Sequence, residues 1–144
     1  MDYREYAKEM VKYMLMNEQK GRKIQGKISE FAKGEEAVLY YLSHEKDGAS
    51  ARELSLYFQI NTSRVAAILN SLCKKGYVKR KHDDFDKRRI HVFITDEGRN
   101  YAIKQYNDVV YRIQLLLEQL GEEDTKEHLR IVKKISDIFS GITL

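Results

Sequence analysis

One stretch, residues 60–98 (INTSRVAAILNSLCKKGYVKRKHDDFDKRRIHVFITDEG), restricts the fold more than any other. Val65, Ile68, Leu69 and Leu72 recur at helical spacing and form a single apolar stripe. Asn61 is a residue type that caps a helix start, and Lys74, Lys75 and Gly76 bring the cations and the glycine that suit a helix end. Residues 77–81 and 90–95 then read as short strands, and the HDDFDKRR between them is too polar for anything but an exposed loop. Off the apolar stripe lie Thr62, Ser63, Arg64, Ala67, Asn70 and Ser71, mostly short polar side chains on a face suited to solvent or DNA. A helix shaped for a groove, followed by a hairpin tipped with arginines, is an arrangement that reads DNA.

Upstream, residues 35–45 predict a helix with Ala37, Val38, Leu39, Tyr41 and Leu42 mostly in the core. A short link over residues 49–52 follows. Ser50 and Glu53 make the S-x-x-E capping pattern for a second short helix over residues 51–58, with Leu54, Tyr57 and Phe58 buried. Residues 59–61 turn into the long helix, which completes a helix-turn-helix. Residues 2–17 predict a helix with an apolar face of tyrosine and methionine, packed on the core or on a second copy. Residues 18–27 read as a connection or a frayed helix end, and residues 28–32 as a short helix capped near Ser29. Thr95 caps a further helix over about residues 96–120, Gly121 breaks it, and Glu122, Glu123 and Asp124 open a final one. These last two helices carry more apolar surface than a small winged domain covers. A two-fold homodimer is the expected solution, and a monomer with the hairpin folded onto its own core is the alternative.

The fold class is thus mainly α with a small β-hairpin wing: a winged helix-turn-helix plus a helical dimerisation domain. Its expected parts are residues 1–33, 34–98 and 99–144. Charge agrees. Residues 60–99 hold ten Lys and Arg against five acids, whereas residues 1–59 balance and residues 100–144 sum to −1. The excess of the whole chain, +4, is confined to one segment, as suits a polyphosphate partner. The plainer reading is a solvated charged hairpin. There is no Walker A, GxGxxG or HExxH pattern, and the four histidines have no ligand spacing, so nothing suggests an enzyme, a cofactor or a metal. No apolar run is long enough for a membrane, and a cytoplasmic location is expected.

In this order and spacing the parts resemble the MarR family of winged-helix transcription regulators, well over about residues 35–120. The residues that carry it are EEAVLYYL (35–42), ARELSLYFQINTSRVAAILNSLCKKGYVKRK (51–81), the wing DDFDKRR (83–89) and the join ITDEGR (94–99). The family's D-x-R wing signature stands as Asp86, Lys87, Arg88, and its L-T-x-x-G as Ile94 to Gly98. One departure is Asp84, where members often carry proline; it bears on the stiffness of the wing. The resemblance implies a homodimer on a pseudo-palindromic duplex, with reading helices in successive major grooves and wings in flanking minor grooves. It also implies a repressor released by a small-molecule effector or by oxidation, and Asp86 pairing with Arg88.

Candidate DNA-binding residues follow. Arg88 leads, because a cation at a wing tip suits a narrow, strongly negative minor groove; the plainer reading is a surface ion pair of little worth. Lys87 and Arg89 flank it. Thr62, Ser63, Arg64, Ala67 and Ser71 would face the major groove, where Arg64 either reads guanine or holds a phosphate. Lys74 and Arg80, with Lys75, Lys79 and Lys81, are phosphate contacts at most. Ser50 is a cap that can also touch phosphate. Cys73, the single cysteine, reads as a partly buried small side chain ahead of a redox sensor. Tyr6, Tyr13, Tyr41, Tyr101 and Tyr106 suit either an effector pocket or ordinary packing. The competing function is a winged helix used as a protein-interaction module, an antiactivator that binds duplex weakly and without sequence preference.

Overall fold

The computed structural model describes residues 2–20 and 34–141, without the side chains of residues 18–20. The described residues form α1 (Tyr3–Lys20), α2 (Glu35–His44), β1 (Ala49–Ser50), α3 (Ala51–Phe58), α4 (Thr62–Lys74), β2 (Val78–His82), β3 (Ile90–Ile94), α5 (Asp96–Leu120) and α6 (Glu122–Gly141). They divide into two compact units, residues 1–109 and 110–144. The expected helix over residues 28–32 and most of the connection before it lie outside the described residues. Residues 18–20 continue α1, which agrees with the helix-end alternative for the start of that stretch.

The winged core is built by the stripes that the sequence marks. Val38, Leu39 and Leu42 of α2, Leu54 of α3, and Val65, Leu69 and Leu72 of α4 are buried against Ala49, Val78, Val92 and Ile94 of the sheet and Ala102 of α5. Each such leucine contributes roughly 1.5–3 kcal/mol by leaving water. No polar side chain is buried among them.

Local caps decide where the helices begin and end. The Ser50 hydroxyl accepts the Glu53 N–H at 3.1 Å, and the Glu53 carboxylate accepts the Ser50 N–H at 3.0 Å, a complete capping box. Asn61 accepts the Arg64 N–H at 2.8 Å. At the end of α4 the Gly76 N–H donates to the Cys73 carbonyl and the Tyr77 N–H to the Leu72 carbonyl, a Schellman stop with Gly76 at φ +76°. α3 ends on Gln59 at φ 52°, a left-handed residue in the turn of the helix-turn-helix.

Three expectations change. The link at residues 49–52 is in part a strand: β1 pairs antiparallel with β3, Ala49 opposite Val92 and Ser50 opposite His91. The sheet is therefore three-stranded, in the order β1-β3-β2. Two residues are too few for a period to show in sequence. Tyr57 is exposed, because its ring packs at the rim of α3 against Tyr41 and Phe58 and not inward. Residues 3–17 of α1 are exposed, so of the two expected packings of its tyrosines and methionines the one on the core of their own chain is not formed.

Candidate nucleic-acid interface

The buried stripe of α4 sets what its other side presents. With Val65, Leu69 and Leu72 inward, Thr62, Ser63, Arg64, Ala67 and Asn70 are all exposed. Ser71 is different: it is half-buried and its hydroxyl bonds Glu35 of α2. Lys75 reaches the same carboxylate at 2.6 Å. Partial burial pushes the Glu35 carboxyl up, but the bonds from Lys75 and Ser71 outweigh it and hold the group below its ordinary range. These two side chains therefore tie α4 to α2, and Lys75 is engaged in the fold. Lys74 beside it is exposed, and Ser50 is half-buried in its capping box.

The hairpin follows in register, Val78 opposite Ile94, Arg80 opposite Val92 and His82 opposite Ile90. Strand alternation puts Arg80 on the face of Val78, the side that meets α4, and its guanidinium donates to the Asn70 side chain at 2.7 Å. Asn70, off the apolar stripe but not among the expected contacts, thus joins the exposed face of α4 to the hairpin. Lys79 and Lys81 are exposed.

The loop between β2 and β3 is closed on itself. The Asp83 N–H donates to the Arg89 carbonyl and the Arg89 N–H to the Asp86 carbonyl, both at 2.9 Å. Asp83 Oδ1 accepts the N–H groups of Phe85 and Asp86, an Asx turn at the tip. Asp86 accepts from the Arg88 backbone at 3.0 Å and from its guanidinium Nε at 3.2 Å. Arg88 itself is 93% exposed, and Lys87 and Arg89 are exposed on either side. The structure thus places Thr62, Ser63, Arg64 and Ala67 on one exposed helix face and Asp86 to Arg89 on one loop tip.

What sequence reasoning missed is the group that holds this tip. His91 of β3 lies with Nε2 2.8 Å from Asp83 Oδ2 and Nδ1 2.9 Å from the Gly48 carbonyl. Both partners are acceptors, so the ring makes both bonds only as the imidazolium. The bond to Asp83 and then that to Gly48 raise the His91 pKa above 6.5; the bond from His91 and the Phe85 and Asp86 amides bring Asp83 down to about 2. An aspartate at a turn start was a visible signal for the tip; the histidine, on another strand, was not.

A pH dependence follows, with a definite sign. A raised His91 pKa stabilises the folded state fully below the unfolded value of 6.5 and loses that contribution as pH rises through the folded one. The lowered Asp83 pKa stabilises above 3.8 and is lost as pH falls toward about 2. The difference in thermal midpoint between wild type and His91→Gln is therefore expected to be largest between pH 4 and 6.5 and to shrink in alkali. A difference that stays flat from acid to alkali would show that the charged ring is not what holds the tip.

No helix of the described residues is long and apolar enough to cross a membrane. Cys73 is half-buried against the core. Tyr41, Tyr101 and Tyr106 make ring contacts inside the first unit: Tyr41 with Tyr57, Tyr101 with Tyr77, and Tyr106 with Tyr40. The Tyr101 hydroxyl donates to Glu36, and burial pushes its pKa up to about 12.

Comparison with known proteins bears on this interface. Residues 37–89 match the MarR family. An HTH-type transcriptional repressor of Bacillus subtilis, YetL, is 25% identical over 114 residues, covering 78% of this chain and 66% of its own length. Among solved structures, a MarR transcriptional regulator of Methanosarcina mazei superposes with a TM-score of 0.68 at 23% identity, covering 96% of this chain and 99% of its own. YusO of Bacillus subtilis superposes with a TM-score of 0.70 at 20% identity, covering 91% of this chain and 96% of its own. At these identities the superpositions establish the fold.

Proposed function

Because residues 37–89 match the MarR family, we propose that this chain is a MarR-type, sequence-specific DNA-binding transcription regulator that acts as a repressor. The observation that carries the proposal is the division of α4: one face fills the core, and the other leaves Thr62, Ser63, Arg64 and Ala67 exposed. That is what a major-groove reader requires, short side chains that let the helix approach and one long cation. The Asp86–Arg88 tip supplies the minor-groove contact. The assignment to repression draws on YetL, which is named a repressor.

The working unit is a homodimer on a pseudo-palindromic operator. Met10 and Met14 of α1 are exposed, as are Leu116 and Leu120 of α5 and Leu129, Ile135 and Phe139 of α6. A self-complementary interface between two copies is the simplest way to cover such faces. Two copies would present two reading helices to half-sites about one helical turn apart. A small-molecule effector that changes the dimer's affinity for DNA would make the repressor responsive.

The test is selection by the protein from a random-sequence duplex pool, followed by salt-titrated binding to the selected duplex and to a scrambled one. The expected result is a strong preference for the selected sequence at physiological salt, with affinity falling steeply as salt rises. Equal, weak and salt-labile binding to both duplexes would overturn the proposal and favour a winged helix that docks on an acidic protein.

A further inference from the structure

The tip of the wing carries a residue that charge does not explain. Phe85 is 100% exposed, whereas the next most exposed large apolar side chain among the described residues, Tyr3, is 76% exposed. Singly exposed apolar residues are common on surfaces, and exposure alone would mean little. Here the backbone that carries the ring is held in place. Asp83 holds the Phe85 N–H at 2.8 Å and the Asp86 N–H at 3.1 Å. His91 holds Asp83 from the neighbouring strand, and the Asp83–Arg89 and Arg89–Asp86 backbone bonds close the loop. The ring is displayed from a pinned turn, so its immobilisation in a complex costs little.

The charge of the same loop sharpens the point. Residues 83–89 hold three acids, Asp83, Asp84 and Asp86, and three cations, Lys87, Arg88 and Arg89. A tip of zero net formal charge gains little from general attraction to phosphates, so an apolar contact has a place there. We infer that Phe85 is an apolar wedge of the wing, entering the minor groove from the loop that carries Arg88 and packing against sugars and base edges. The inference rests on the reading of this protein as a duplex-binding regulator. Apolar wedges of this kind part a base step and bend the duplex, so Phe85 would favour sites with an easily opened pyrimidine–purine step under the wing.

The experiment compares wild type, Phe85→Ala, Phe85→Leu and Arg88→Ala on the duplex that the wild-type protein selects from a random pool. Affinity is titrated against salt, and bending is read by energy transfer between the duplex ends. Phe85→Ala is expected to bind roughly tenfold more weakly, with an unchanged salt slope because no charge is lost, and to bend the duplex less. Phe85→Leu keeps a wedge and is expected to retain most of both. If Phe85→Ala binds and bends like wild type while Arg88→Ala is weakened, the ring is not a DNA contact and faces some other partner. If wild type selects no duplex at all, the DNA-binding reading is what fails, and the wedge fails with it.

Discussion

Gly98→Ala is expected to lower the unfolding free energy by about 3 kcal/mol, at the upper end of what overpacking does. A Cβ at Gly98 would sit 2.1 Å from the Tyr77 carbonyl oxygen and 3.0 Å from its carbon, both backbone atoms, and 2.9 Å from Ile94 Cγ1. The backbone cannot step aside cheaply. The Tyr77 carbonyl accepts the Thr95 N–H at 3.0 Å, and the Thr95 hydroxyl both donates to the Gly76 carbonyl and accepts the Gly98 N–H. Moving Tyr77 disturbs the Schellman stop of α4, the first turn of α5 and the start of β2 together. In a thermal melt the midpoint should fall by roughly 10 °C. A midpoint within a degree of wild type would mean that the helix and strand are not packed backbone to backbone.

Arg88→Ala is expected to do the opposite: leave the fold intact and weaken binding to the selected duplex by roughly 1–3 kcal/mol. The side chain is 93% exposed and its ion-pair partner is Asp86, two residues away. A pair this exposed contributes little to stability. In a minor groove the same guanidinium is desolvated against the most negative part of the duplex. One fewer cation should also lower the salt slope by about one, which separates this residue from a neutral contact. Binding that equals wild type in both affinity and slope would remove Arg88 from the interface.

Much of this architecture was legible because helix signals are local. The stripe Val65, Ile68, Leu69, Leu72 needs only the 3.6-residue period, and the caps at Ser50, Asn61 and Thr95 need only a side chain within reach of its own next turn. The bond from Arg88 to Asp86 was expected from the resemblance and spans two residues. The same locality explains the misses. β1 has two residues and exists only because β3 lies beside it. Gln59 adopts a left-handed conformation although glutamine has no preference for it, and the turn between α3 and α4 imposes it.

By itself, then, the sequence determined the helices of the winged domain, the caps that start and stop them, the hairpin and the family that they resemble, all set by residues within about one turn of each other. The tertiary structure alone decided which polar groups remain available. Lys75 and Ser71 turn to Glu35, Arg80 to Asn70, and His91 to Asp83 and Gly48. The separations are 40 residues for Lys75 with Glu35, 10 for Arg80 with Asn70 and 43 for His91 with Gly48. A cation's charge is written in its residue type, but whether that charge is engaged depends on which carboxylate or carbonyl the fold brings within 3 Å of it, and no local period records that.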